Sequence, residues 1–312
     1  MRRALGAGER WIDQPDLSTV ADSGPNPASF AATLMQPSRQ FSLLAAVVAL
    51  VTVGGCASVD FDQPKEPSYA AWPAESTYLG RRTAGLGDDA AERSGFYDLG
   101  DGVDALAARY VLARRAERSI DTMYFVIKQD PAGSFFMLSL LEAADRGVRV
   151  RVIVDDAERN REKDPLAAAV NSHPNMEVRV WNPFARGVPV WWNAVTDFRR
   201  INRRMHNKAF VADNRIAVIG GRNIAGEYFG ANADVIFADA DVGVVGPLVG
   251  EVSSMFDEYW NHRLAVPLEN FLPVPEDREA ALKEARAVLL KSRAKLRDGP
   301  FARALNRAVS DT

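Results

Sequence analysis

His206, Lys208, Asp213, Gly220, Gly221 and Asn223 lie in one stretch, Met-His-Asn-Lys-Ala-Phe-Val-Ala-Asp followed by Gly-Gly-Arg-Asn, with the spacing H-x-K-x4-D-x6-G-G-x-N. A neutral imidazole can attack phosphorus, and an ammonium and a side-chain amide can hold the non-bridging oxygens as charge develops on them. The chemistry this set suits is phosphoryl transfer through a phosphohistidine. A lone H-x-K means little, because it arises by chance in many chains. Six positions agreeing at fixed spacing are a specific signal. The string occurs once in the sequence.

Local elements must bring these groups together. Lys208 to Ala212 is short and apolar and suits a buried strand; Asp213-Asn214-Arg215 is a turn signal; Ile216 to Ile219 reads as the returning strand. Residues two apart on a strand face one side, so His206 and Lys208 share a space. The hairpin returns Gly220, Gly221 and Asn223 beside His206, with the glycines letting backbone approach a phosphate. Around the hairpin, helices are expected over 102–117, 134–146, 166–170 and 247–260. Strands are expected over 119–127, 148–154, 177–181 and 242–245, and Gly147 stops the second helix. Such alternation implies an α/β fold, a sheet covered by helices. Arg199, Arg203, Arg200 and Arg204 form two i,i+4 pairs if the run before His206 is helical, giving a basic mouth for anionic head groups, with Arg203 and Arg204 as candidate contacts.

The motif resembles the HKD motif of the phospholipase D superfamily. The extension Gly-Gly-Arg-Asn-Ile-Ala-Gly-Glu-Tyr-Phe-Gly-Ala is similar to the first half of bacterial cardiolipin synthases of type C. Arg118-Ser-Ile-Asp121, Ala144 to Asp155, Val180-Trp-Asn-Pro-Phe-Ala185, Phe198 to His206 and Asp239-Ala-Asp-Val242 fit the same family, so the likeness runs from about Ser94 to Leu305. It implies an α-β-α sandwich with a mixed sheet, carrying one HKD half over 94–267. It also implies a phosphatidyltransferase that needs no cofactor and no metal, and a catalytic set of His206, Lys208, Asp213 and Asn223. In that set His206 is the nucleophile or, alternatively, the acid for the leaving oxygen. Lys208, Asn223, Gly220 and Gly221 bind phosphate, and Asp213 fixes local geometry rather than moving protons. A carboxylate beyond the motif normally sets the histidine tautomer; Asp241 is the candidate, with Asp239 and Glu227 as rivals.

Family members carry two such motifs, whereas this chain has three histidines, and neither His173 nor His262 has a lysine two residues on. The expected reading is half of a split gene, the second motif lying on a separate chain. Pairing of two copies across a two-fold axis and a non-catalytic, lipid-binding remnant are the alternatives. Hydrolysis of phospholipids or other phosphodiesters is a weaker one.

Phe41 to Val53 carries no charge, is too short to span a membrane and suits a signal-peptide core. Val53-Gly-Gly-Cys56 follows it and resembles a lipoprotein processing site, making Cys56, the single cysteine, the candidate lipid anchor. Residues 35–55 are thus expected to be a leader, 1–34 a mis-assigned or disordered extension, 56–93 a tether and 268–312 a helical linker. The expected location is the bacterial cell envelope, held to the membrane through the anchor. A composition of 47 % apolar and 25 % charged residues suits one folded core, and a net charge of −3 argues against nucleic acid as a partner. Trp181, Phe184, Trp191 and Trp192, in a loop with Pro183 and Pro189, fit either a membrane-facing or acyl-lining role or plain packing.

Overall fold

Alternation of apolar and polar residues along Ser119–Tyr124 (β2), Arg149–Asp155 (β3) and Met176–Trp181 (β4) divides their side chains between two faces of one sheet. A computed structural model describes residues 59–70, 74–84, 93–158, 164–186, 188–189, 191, 197–231, 236–296 and 300–310. These fall within one compact unit, Cys56–Thr312. The 1–34 extension, the 35–55 leader, Cys56 and Trp192 lie outside the described residues.

The remaining strands are Gly95–Leu99 (β1), Ala209–Ala212 (β5), Ile216–Gly220 (β6), Asp241–Val245 (β7) and Ala265–Pro267 (β8), in a sheet of order β1-β7-β6-β5-β2-β3-β4-β8. β2, β3 and β4 are parallel; the other neighbours are antiparallel. The helices in chain order are Tyr78–Ala84 (α1), Gly102–Arg115 (α2), Pro131–Asp145 (α3), Asp164–Val170 (α4), Phe198–Ile201 (α5), Gly226–Phe229 (α6), Leu248–Asn261 (α7), Arg278–Arg293 (α8) and Pro300–Ser310 (α9).

One face of the sheet presents Ile120, Val150, Val152, Val178 and Phe210 to a core shared with α2, α3 and α8. The other presents Met123, Ile153, Val211 and Val244 to Phe256 and Trp260 of α7. The result is the expected helix–sheet–helix sandwich. Asp101 and Asp130 cap α2 and α3 by accepting backbone N–H bonds, and Pro131 opens α3. Gly147 takes φ +90° directly after α3, a conformation open to glycine and strained for other residues.

Two segments expected at the margins are built into this sandwich. In the 56–93 stretch, Lys65 donates to Ala265 O at 2.8 Å, Ala70 N–H to Asp257 at 2.8 Å, and Ser68 O accepts from Arg151 at 2.8 Å. In the 268–312 stretch, Ala285 and Leu289 of α8 and Leu305 of α9 are buried in the first core. These residues close the domain, so neither stretch is free of it. No helix among the described residues is long and apolar enough to cross a membrane.

Candidate active site

His206 and Lys208 stand at the entry to β5. Lys208 is buried, and its Nζ lies 3.2 Å from His206 Nδ1 and donates to His206 O at 2.8 Å. Phe125, just past β2, packs its ring 4.9 Å from the imidazole and lies 5.6 Å from Nζ. Burial pushes the lysine pKa down, opposed by the nearby Asp239 and Asp241 carboxylates. An ammonium has three donors. Two are taken by His206, which leaves one for an incoming oxygen.

Ala209 pairs with Ile219 and Ala212 with Ile216, so the hairpin register sets Gly220 opposite Lys208. Beyond it the chain runs beside the extension of β2. Ile224 N–H donates to Val126 O at 3.0 Å, and Val126 N–H to Asn223 Oδ1 at 3.1 Å. The Asn223 amide nitrogen donates to Tyr228 Oη at 3.0 Å. Its second proton is available to a ligand among the described residues. The fold thus brings His206, Lys208 and Asn223 to one end of the sheet, around Phe125 and Val126.

Asp213 sits at the other end of β5. It is fully buried with φ 50°, and its carboxylate accepts the N–H groups of Glu117, Arg118 and Ser119 at 2.8–3.2 Å. From there it ties the hairpin turn to the start of β2, a positioning role at the end of β5 away from His206.

The two glycines also differ from expectation. A Cβ at Gly220 would stand 2.1 Å from Asp241 Oδ1, and one at Gly221 would stand 1.9 Å from Asp239 Oδ1. What they admit is a pair of carboxylates. Asp241 is buried, accepting from Arg109 Nη2 at 2.9 Å and from Arg222 N–H at 3.3 Å, with Arg222 Nη1 at 3.6 Å. These partners, and not His206, hold the Asp241 carboxylate, which corrects its assignment as the histidine's orienting group. Glu227 pairs with Lys128. Asp239 is exposed beside Gly221, and its charge, with that of Asp241, favours the Lys208 ammonium.

Residues 112–260 match the family described as cardiolipin synthase, PLD-like domain. The chain is 42 % identical over 182 residues to cardiolipin synthase C of Escherichia coli (strain K12), a match covering 58 % of this chain and 38 % of that protein. It is 32 % identical over 217 residues to an uncharacterized protein of Helicobacter pylori (strain ATCC 700392 / 26695), covering 69 % and 43 %. Residues 112–260 are a phospholipase D-like domain. A solved structure, the phosphatidylserine synthase of Haemophilus influenzae Rd KW20, aligns with a TM-score of 0.45 at 19 % identity, over 67 % of this chain and 45 % of that one. The chain spans about two-fifths of the length of these curated relatives.

Within the phospholipase D-like domain, the segment leading to His206 is held by residues that sequence reasoning passed over. Asn182, buried with φ 49°, donates from Nδ2 to Arg200 O at 2.7 Å and to Arg203 O at 2.9 Å. Those bonds capture carbonyls that a longer helix would use, so the arginine run is one helical turn and the expected i,i+4 pairs do not form. Arg204 lies inward, 3.3 Å from Asp155 and over the Phe184 ring at 5.0 Å, which removes it from the head-group contacts. Arg203 and Arg199 are exposed. Asp155, at the end of β3, accepts Met205 N–H at 2.7 Å and Ala157 N–H at 2.8 Å. Burial raises its pKa to about 6, opposed by Arg204 and these amides. The partners that reveal Asn182 and Asp155 are tertiary, so no local pattern marks them.

The other two histidines have separate places. His173 is buried, with Nε2 3.1 Å from Asp145, and His262 packs on Trp181 at 5.0 Å. Of the aromatics weighed above, Trp181 is core, Phe184 lies under Arg204, and Trp191 is 61 % exposed. Among the described residues no three His, Cys, Asp or Glu side chains converge as a metal site.

Proposed function

We propose that this chain supplies one half of a phospholipase D-type phosphatidyltransferase site, of the cardiolipin synthase kind. The carrying observation is the convergence of His206, Lys208 and Asn223 at one sheet end, in a chain 42 % identical to a cardiolipin synthase C. In this reading the imidazole attacks the phosphodiester phosphorus, an N–P bond forms, and the bond to the departing alkoxide breaks. Lys208 and Asn223 bind the non-bridging oxygens as negative charge grows there. An acceptor alcohol, or water, then takes the phosphatidyl group from nitrogen. The proton for the leaving alkoxide comes from a second histidine, on a partner half. That half can come from further residues of a longer chain, from a separate chain or from a second copy.

One observation favours the reciprocal role for His206. With Lys208 as an ammonium donor at 3.2 Å, Nδ1 is an acceptor and a neutral ring carries its proton on Nε2. A ring in that tautomer donates to a leaving oxygen rather than attacking. A labelling experiment separates the roles. Protein supplied with a second motif-bearing half is mixed with phospholipid radiolabelled at phosphorus and quenched in alkali, which preserves phosphohistidine. Label on His206 supports the nucleophile, and label on the partner supports the acid. With His206→Ala, transfer is expected to fall by at least about a thousandfold in either role. Unchanged transfer by that variant would sink both.

The reading extends to a cell-envelope lipoprotein anchored at Cys56, supported by the uncharged run before it. Labelled palmitate is expected to enter the wild-type chain and not Cys56→Ser. Equal labelling would exclude that anchor.

A further inference from the structure

Beside the motif, on the α3 side of the sheet, the described residues enclose a partly open cavity of about 160 Å³. Its floor is Val152, Val154, Val178 and Val180 of β3 and β4, and its walls include Met137 of α3 and Ala167 of α4. Its lining is mostly apolar, and native cores seldom leave a void of this size empty among such side chains.

Three contacts join this cavity to the catalytic set. Phe125 lines it and packs on His206 at 4.9 Å. Val126 lines it and gives its N–H to Asn223. Asp155 lines it and takes the N–H of Met205, the residue before His206. The charges at its rim are largely paired: Arg186 lies 2.6 Å from Asp156 and 2.9 Å from Asp164, and Lys128 pairs with Glu227. Carboxylates outnumber cations at this rim, Asp155, Asp156, Glu158 and Asp164 against Lys128 and Arg186; the apolar interior behind it suits a chain without charge, attached to a head group held outside.

We propose that this cavity holds part of one acyl chain of the phospholipid whose phosphate lies at Lys208 and Asn223. The inference rests on the phosphatidyl reading above and adds the subsite that reads the lipid's tail. A seated acyl chain fixes the phosphorus relative to His206 and favours long-chain esters over water-soluble phosphodiesters. It also makes the tail, rather than the exposed arginines, the principal source of affinity.

Calorimetric titration of the full chain with 1-acyl-glycerol-3-phosphates of six to twelve carbons, below their micelle concentrations, tests this. Affinity is expected to rise about fourfold per added methylene until the cavity is filled. Ala167→Phe, which fills it from α4, should flatten that rise to the level of the shortest chain. Val154→Ala, which enlarges the floor, should move the plateau to a longer chain. Thermal unfolding checks that both variants fold, and a changed slope or plateau in either folded variant supports the subsite. Lys208→Ala should weaken all chain lengths by the same factor and keep the slope. A wild-type slope untouched by both cavity variants, or no slope at all, overturns the acyl subsite and leaves the phosphatidyl reading standing. A slope removed by Ala167→Phe but affinities indifferent to Lys208→Ala would overturn the joint placement and count against the phosphatidyl reading itself.

Discussion

Two carboxylates near the motif act through backbone amides, and their removal should read out as stability. Asp213 binds three amides of the α2–β2 connection while adopting φ 50°. Asp213→Ala leaves those N–H groups unpaired and puts alanine in a left-handed conformation. The expected cost is about 3 kcal/mol or more in denaturant unfolding, and Asp213→Asn should cost less. Ligand affinity per folded molecule should be unchanged; full stability with lost chemistry would return Asp213 to the catalytic set. Asp155 gives a pH signature instead. Its folded pKa, about 6, lies above the ordinary 3.8, so the folded chain keeps a proton that the unfolded chain releases. That contribution to stability is complete below about pH 4 and is lost as pH rises through about 6, by up to roughly 3 kcal/mol. Against Asp155→Asn, the wild type should therefore lose relative stability between those values. A flat difference would show that Arg204 and the amides hold the carboxyl at its ordinary value.

Elements built from local signals were legible, and those built by tertiary partners were not. The hairpin around Asp213 and Asn214 follows from turn chemistry, since both take positive φ. The helices after Asp101 and Asp130 follow from caps and apolar spacing. β1 was not foreseen, because Gly95–Leu99 has four exposed residues of five and so lacks a buried stripe. β8 is three residues, too short for periodicity to register. The arginine run looked helical until Asn182, whose position relative to it is set by the fold, captured its carbonyls. For the site, the meeting of His206, Lys208 and Asn223 at one sheet end was readable from their spacing on the hairpin. The role of Asp241 was not, since it depends on Arg109, which lies 132 positions earlier in the chain, and those of the glycines depend on the Asp239 and Asp241 carboxylates packed against them. α8 has the same lesson in energetic form. Its sequence is charged and reads as a linker, yet Leu289 is 3 % exposed. Leu289→Ala should cost about 2–4 kcal/mol in unfolding; a linker residue would tolerate it within about 0.5 kcal/mol.

One motif within these 312 residues sets what they can be asked to do by themselves. The sheet end that carries His206 presents one imidazole, and the proposed reaction needs a second for the other proton or the other bond. Apolar groups are exposed near it: Ile236 and Phe237 are 70 % and 47 % exposed, with the Phe237 ring tilted at 5.1 Å against the Tyr228 that holds Asn223. Phe198, ahead of the arginines, is 62 % exposed. Exposed aromatic and aliphatic groups beside buried polar ones are what a partner half would cover. The chain alone is therefore expected to turn over little phospholipid at any concentration and to gain activity when a separate chain with a second H-x-K-x4-D is supplied. Mixing with His206→Ala protein distinguishes the partners. If the second half is a copy of this chain, an equal, fully exchanged mixture keeps about a quarter of the activity, because only dimers with two intact histidines work. If it is a separate chain in excess, about half survives, since each wild-type half still finds its partner. Activity rising with the square of this chain's own concentration, together with the quarter, would replace the separate chain by a second copy.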